Sequence, residues 1–471
     1  MALWRKSARE MVALLRRGEV SPQEAIDVAV ERIAAVDPAV NAIPTLCVER
    51  ARERAARLAN PPGDGRGWLA GLPVLIKDLV DVEGVRTTYG CSAFANHVPT
   101  ASALEVRRLE AHGAVILGKT NTPEFGAGAQ TFNEVFGITR NPWDTRLTCA
   151  GSSGGAAVAL ATGMAWLCDG SDLGGSLRTP ASFCSIVGMR PSPGRVPHGP
   201  ASLPFDTLGV QGPMARGVRD LALLMDAMAG FDPADPLSYP APAEPYATSV
   251  ERPPALGRVA FSADLGGVTP VDPEVVAICR AAAGRFAELG CEVVEAGPDL
   301  RTAIDVFTTL RAARFAAARG PTLASHREAL KPEVVWNIEH GLKLSADDIG
   351  RAERERGVLQ RRLAAFLAEH DLLLCPAAIV PPFPVEQRYL AELNGHVFPS
   401  YIDWVAIAYA ITVTGCPALS LPCGFTASGL PMGLQIVGRP RGEATLMAAA
   451  AALEDVLGLA GQVPMEPRVR H

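Results

Sequence analysis

The sequence predicts an α/β fold built on a largely covered sheet. Short apolar runs such as Leu72-Pro73-Val74-Leu75-Ile76 and Ala114-Val115-Ile116-Leu117 have the look of buried strands. Helix-patterned segments stand between and around them, in the alternation typical of α/β architectures. Of the 471 residues, 48% are hydrophobic and 20% charged, which is apolar material enough for a large core.

The N-terminus reads as helices. Ser7-Ala8-Arg9-Glu10 has capping-box spacing, and Gly18 closes the run. Ser21-Pro22-Gln23-Glu24 repeats the signal with Pro at the first helical position, and Ile26, Val30 and Ile33 then share one face. A third helix is expected through Cys47 to Ala59, followed by a loop from Asn60 to Gly65. The first strand ends in Lys77-Asp78. Leu104 to His112 is expected to be helical, with the second strand after it. Residues 131–215 are rich in Gly, Pro, Ser and Thr. Residues 232–256 form a Pro-rich connection, either a linker or a loop into a second half of the same sheet. Val275 to Leu289 reads as helix and Cys291 to Val294 as extended. Residues 301–370 are mostly helical and carry many of the charges. From Leu372 onward strands and turns are expected.

Composition excludes several classes of function. With 44 Lys+Arg against 50 Asp+Glu the net charge is -6, which offers no basic footprint for nucleic acid. The ten cysteines include no Cys-x-x-Cys pair and mostly stand among apolar residues, so most read as small buried hydrophobes in a reducing compartment. The eight histidines show no metal-ligand spacing. Arg5, Lys6, Arg9, Glu10, Arg16 and Arg17 leave the first twenty residues without the apolar stretch of a signal peptide. Leu147 to Cys168 and Trp404 to Gly438 are uncharged, but Gly and Ser in the first and Pro417, Pro422 and Pro431 in the second suit buried core segments better than membrane spans. The expectation is a cytoplasmic protein without nucleic-acid or membrane partners, cofactor or metal.

Three glycine-rich segments are candidates for chemistry. Gly113-Ala114-Val115-Ile116-Leu117-Gly118-Lys119-Thr120 matches the phosphate-loop pattern letter for letter. Its four residues between the glycines are themselves the strand, however, so the backbone is not available to wrap a phosphate. Lys119 is then expected at the surface or at the rim of a site. Gly151-Ser152-Ser153-Gly154-Gly155 fits a nucleophile elbow centred on Ser153, but Arg146 to Ala150 makes a poor preceding strand. A Gly/Ser turn opening a helix is the simpler reading. Gly170-Ser171-Asp172-Leu173-Gly174-Gly175-Ser176-Leu177-Arg178-Thr179-Pro180, alone, reads as a loop. Two glycines before Ser176 allow consecutive backbone N–H groups to face one small volume, the geometry of an oxyanion hole.

Taken together, these segments resemble the amidase signature family of serine hydrolases. The resemblance runs from Gly71-Leu72-Pro73-Val74-Leu75-Ile76-Lys77-Asp78 through Leu117 to Phe125 and Asn141-Pro142-Trp143-Asp144. It is strongest from Gly151 to Pro180 and ends in Gly429 to Gly438. It implies one domain with a mixed central sheet flanked by helices on both faces. Residues 1–60 would be N-terminal helices, 70–215 the catalytic core, 256–400 a variable, mostly helical pocket region, and 401–471 a return to the core.

The family's catalytic set would fall on Ser176 as nucleophile, Ser152 as a cis-peptide serine, and Lys77 as base, with no histidine. Leu173, Gly174, Gly175 and Ser176 would form the oxyanion hole. Gly126, Ala127 and Gly128 would border the acyl pocket, and Asp172 and Arg178 would hold the loop in shape. The residue types suit the chemistry. A serine needs a base in reach. A lysine of ordinary pKa about 10.4 serves near pH 7.5 only when burial keeps it neutral, at roughly 4 kcal/mol. Asp78 would oppose that shift if it pointed inward. Ala150, Ser171 and Thr412 depart from common family letters. They are expected not to touch the triad, Thr412 bearing on pocket polarity or loop anchoring, and Ser153 is expected to matter much less than Ser176. The implied substrate is a small amide, carbamate or nylon-type oligomer. Asn121-Thr122-Pro123-Glu124-Phe125 looks more like the free-standing branch than the transamidosome component, and a homodimer is an admissible assembly.

Overall fold

A computed structural model of the chain describes residues 2–58, 61 and 65–470. It centres on an eleven-stranded mixed sheet. In spatial order the strands are Thr45–Leu46, Val115–Thr120, Pro73–Lys77, Leu167–Asp172, Val210–Ala215, Val187–Arg190, Ala418–Phe425, Pro431–Val437, Leu372–Pro376, Arg258–Phe261 and Glu292–Glu295. Pro73–Lys77 runs parallel to both its neighbours, the middle of the sheet is antiparallel, and the far edge is parallel again. The Pro-rich segment thus leads into a second half of the same sheet.

The helices start where their caps are. Ser7 and Ser21 each complete a capping box, opening Ala8–Arg17 and Pro22–Val40, and Gly18 ends the first in a left-handed turn. The third helix covers Val48–Ala56. Ala59, Asn60, Pro62, Gly63 and Asp64, in the helix end and loop expected there, lie outside the described residues, as does His471. Among the described residues no helix is long and apolar enough to cross a membrane. All ten cysteines are free thiols, and all but Cys47 are buried.

Three expectations need correction. The strand expected at Ala114 to Leu117 runs on to Thr120, so Lys119 is neither at the surface nor at a rim. It is wholly buried, 3.5 Å from Asp78, and donates to the Val80 carbonyl and Thr87 Oγ1. The edge strand Thr45–Leu46 pairs with Gly118 and Lys119, which extends the sheet over residues whose letters suggest a turn. Gly170, Ser171 and Asp172 likewise belong to a strand, not a loop. After Leu372 the chain also forms the helices Ala406–Thr412 and Glu443–Leu457. Both are largely buried, so they carry little polar face and no helical periodicity.

A fully buried helix, Gly154–Ala161, packs beside the strands Pro73–Lys77 and Val115–Thr120. Its small side chains permit the approach. A Cβ on Gly155 would stand 2.4 Å from the Asn121 backbone nitrogen. This helix and the parallel strands bring three segments to one place, the carboxyl ends of Pro73–Lys77 and Leu167–Asp172, where α/β sheets commonly bind ligands.

Candidate active site

Lys77 is the last residue of its strand and is wholly buried. Its backbone N–H donates to Asp169 Oδ1 at 2.6 Å, which fixes the strand end. Its Nζ meets three hydroxyls, Ser152 Oγ at 2.6 Å, Ser153 Oγ at 2.8 Å and Ser171 Oγ at 3.0 Å. Burial pushes the Lys77 amine down to about 7, with Asp169 and Asp172 opposing the shift. Asp78 does not face Lys77. It points toward Lys119 and accepts from the Thr88 N–H and hydroxyl.

Ser152 follows a cis peptide bond from Gly151. Ala150, just before it, has φ of 58°, a left-handed conformation that suits glycine better. Ser153 is the N-cap residue of Gly154–Ala161, but its side chain caps nothing and turns to Lys77 instead. Its N–H donates to the Ser176 carbonyl at 3.2 Å, tying the two serine-bearing turns together.

Two expectations change here. Ser171 touches Lys77 directly, so its departure from the common family letter lies within the site. Ser153 is also a direct partner of the amine. Ser153→Ala would leave one Lys77 contact unmade in a buried setting, worth about 1–3 kcal/mol, and is expected to lower kcat/KM roughly tenfold to a hundredfold. Steady-state kinetics with an amide substrate checks this. A loss under twofold would make Ser153 a bystander. The sequence carried no sign of either contact, since Ser171 lies 94 residues from Lys77.

Asp172 shapes the turn that carries Ser176. It is wholly buried, accepts from the N–H groups of Gly175 at 3.0 Å and Leu177 at 3.1 Å, and pairs with Arg178 at 2.9 Å and Arg190 at 3.4 Å. Burial would raise its carboxyl, but Arg178 and Arg190 win and hold it well below the usual carboxylate range. Arg178 also donates to Thr412 Oγ1 at 3.0 Å, so buried Thr412 anchors the loop rather than lining the pocket. Asp172→Ala would strand two buried guanidinium groups. The expected cost is about 3–5 kcal/mol of folding stability, measured by denaturant unfolding. A cost under about 1 kcal/mol would contradict this role for Asp172.

The turn itself offers backbone donors. The N–H groups of Leu173, Gly174 and Ser176 make no internal hydrogen bond among the described residues, whereas that of Gly175 is already held by Asp172. Gly175 has φ of 108°, and a Cβ there would fall 2.6 Å from Ala408 Cβ, so only glycine fits.

Ser152, Ser171 and Ser176 open into one cavity of about 190 Å³. Of the three residues expected to border it, only Gly126 does, and a Cβ there would lie 3.2 Å from Ser152 Oγ. Ala127 and Gly128 turn away. The Ala127 carbonyl accepts from Lys331 Nζ at 2.5 Å, and a Cβ on Gly128 would meet the same amine at 3.1 Å. Phe125 and Ala129 line the cavity in their place. Lys331 begins this buttress from the distant helical region, and its backbone N–H also donates to buried Glu124. Burial lowers the Lys331 amine and raises the Glu124 carboxyl. His198, one of the histidines that looked scattered, also lines the cavity, 3.6 Å from Asp235.

The Amidase family profile matches residues 24–447. An acylamidase from Rhodococcus erythropolis is 35% identical over 98% of each chain. A glutamyl-tRNA(Gln) amidotransferase component from Moorella thermoacetica is 37% identical, covering 96% of this chain and 97% of the relative. Among solved structures, 6-aminohexanoate cyclic dimer hydrolase superposes with a TM-score of 0.90 at 28% identity over 99% of each chain. A bacterial aryl acylamidase of the amidase signature family superposes at 0.89, with 28% identity over 98% of each. With a profile covering most of the chain and this sheet and helix arrangement, the protein belongs to the Amidase family, the amidase signature enzymes, hydrolases acting on amide carbon–nitrogen bonds.

Proposed function

We propose that this chain hydrolyses a small-molecule amide through an acyl-enzyme on Ser176, with Ser152 and Lys77 completing the catalytic set. The observation that carries this is the wholly buried Lys77 amine, 2.6 Å from Ser152 Oγ in a cavity that Ser176 lines. An ammonium has three N–H donors, and three hydroxyls surround Nζ. When the amine is neutral it keeps two donors and a lone pair, so one hydroxyl must reverse and donate to it. Ser152 is the one with the shortest contact.

Ser176 Oγ attacks the amide carbonyl while its proton passes to Ser152, whose own proton passes to Lys77. The tetrahedral oxyanion sits against the free N–H groups of Leu173, Gly174 and Ser176. The proton returns from Lys77 to the departing amine as the carbon–nitrogen bond breaks. Water then adds to the ester, surrenders its proton along the same path, and releases the acid and Ser176. Gly126 keeps the acyl side open beside Ser152.

The similarity to an acylamidase and to 6-aminohexanoate cyclic dimer hydrolase supports a free-standing amidase acting on aryl, alkyl or nylon-type amides. The similarity to the amidotransferase component keeps one alternative, a glutaminase subunit of a tRNA-dependent amidotransferase. The test is turnover by the purified chain alone. A panel of acyl-para-nitroanilides, para-nitrophenyl carbamates and glutamine is offered to it. Release of nitroaniline or nitrophenol without glutamine turnover is the expected result. Activity only on glutamine, and only with a co-purifying partner, would favour the alternative.

A further inference from the structure

One helix forms a wall of the cavity. Along Ala303–His326, Phe307, Arg311, Phe315 and Arg319 follow at four-residue steps and all line the cavity. At 1.5 Å per residue the stripe is about 18 Å long. At one end the Phe307 ring stands 3.0 Å from where a Cβ on Gly174 would lie, beside the oxyanion turn. At the other end the Arg319 guanidinium lies 4.3 Å over the ring of Phe125, the neighbour of Gly126.

The charges along this wall do not balance. Asp172, His198, Arg311, Arg314 and Arg319 all line the cavity. Asp172 is neutralised by Arg178 and Arg190, Arg314 is paired with Asp206, and His198 faces Asp235. Arg311 is buried, yet its partners are the neutral Asn337 and Tyr401. Among the described residues Arg319 has neither a hydrogen-bond acceptor nor a carboxylate at ion-pair distance. Asp81, the acid whose charge reaches it, is engaged by the Tyr89 hydroxyl at 2.7 Å. Two guanidinium groups therefore line one small cavity with no carboxylate at ion-pair distance of either among the described residues. A cation removed from bulk water without a partner is costly, and the guanidinium fork matches a carboxylate in two parallel bonds.

We propose that the substrate is an amide carrying a carboxylate or similar anionic group away from the scissile bond, received by Arg319 and attracted by Arg311. This rests on the amidase reading and names its substrate class.

Two matched pairs of compounds test it. Glutaryl-para-nitroanilide has a carboxylate on its acyl chain, and the methyl ketone of equal length is its neutral counterpart. N-butyryl-para-aminobenzoate and the corresponding acetophenone place the same difference on the amine side. Affinities are read by isothermal titration on the full chain carrying Ser176→Ala, which binds without turnover. At least one acid is expected to bind tenfold or more tightly than its neutral counterpart. Arg319→Gln in that background should bring the ratio below threefold, with Arg319→Lys between. The ratio is taken within one protein, so a general loss of affinity or stability does not move it. If Arg319→Gln fails to fold, added salt must weaken the acid's advantage in the Ser176→Ala protein, because the preference is electrostatic. Equal affinities in both pairs, a ratio that survives Arg319→Gln, or an advantage indifferent to salt would overturn the proposal. Wild-type turnover of the nitroanilides is scored separately. Its absence would count against the amidase reading, while the binding ratio still decides the anion site.

Discussion

Ser176→Ala is expected to reduce kcat/KM for an amide substrate by about 10⁵-fold or more, close to complete loss. The size follows from the absence of a substitute. Ser152, Ser153 and Ser171 are the other hydroxyls gathered here, and all three are bound to Lys77, at 2.6, 2.8 and 3.0 Å. None stands on the turn with the free N–H groups of Leu173 and Gly174, so attack from any of them would develop an oxyanion without its donors. The substitution removes one oxygen from a half-buried side chain, so the melting temperature should hardly move. A folded Ser176→Ala protein that keeps more than a hundredth of the activity would place the nucleophile elsewhere, with Ser153 the first candidate.

Lys77→Ala is expected to cost about 10³–10⁵-fold at neutral pH, through loss of the base and collapse of the hydroxyl cluster it holds. The pH profile gives a sharper reading. Burial holds the Lys77 amine down to about 7, and it accepts a proton only when neutral. Wild-type kcat/KM should therefore rise as pH increases through about 7 and level off above it, and the residual activity of Lys77→Ala should lack that limb. Stability carries the same signature. Between about 7 and the ordinary value of 10.5 the folded chain leaves Lys77 neutral while the unfolded chain binds its proton. Rising pH across that window should thus stabilise the wild type relative to Lys77→Met, with no further difference below it. A pH-independent kcat/KM between about pH 5.5 and 8.5 would remove Lys77 from the role of base.

The candidate catalytic residues were legible through the resemblance to the amidase signature, whose motifs are runs of adjacent residues. The capping boxes at Ser7 and Ser21, the Lys77 strand end and the Gly151 to Gly155 turn fall where the letters put them, whereas Gly170, Ser171 and Asp172, which read as loop, are strand. What could not be read depends on contacts between distant segments. Gly118-Lys119-Thr120 resembles a turn by its letters, and pairing with Leu75–Lys77 on one side and Thr45–Leu46 on the other makes it strand. Ser171 looked remote from Lys77 because nothing in a single chain says which hydroxyls a buried amine will gather. Ala127 and Gly128 looked like open pocket lining because Lys331, which covers them, arrives from some two hundred residues away. The stripe Phe307, Arg311, Phe315 and Arg319 has plain helical spacing, but which side of that helix meets the cavity is a matter of packing.

Covalent trapping decides whether Ser176 carries the acyl group. The protein is inactivated with a fluorophosphonate or an aryl carbamate, digested, and the modified residue located by mass spectrometry. The expected outcome is a single adduct on Ser176, formed more slowly in Lys77→Ala and absent in Ser176→Ala. Stoichiometric inactivation with the adduct on Ser152, Ser153 or Ser171 would contradict the assignment of Ser176 as nucleophile.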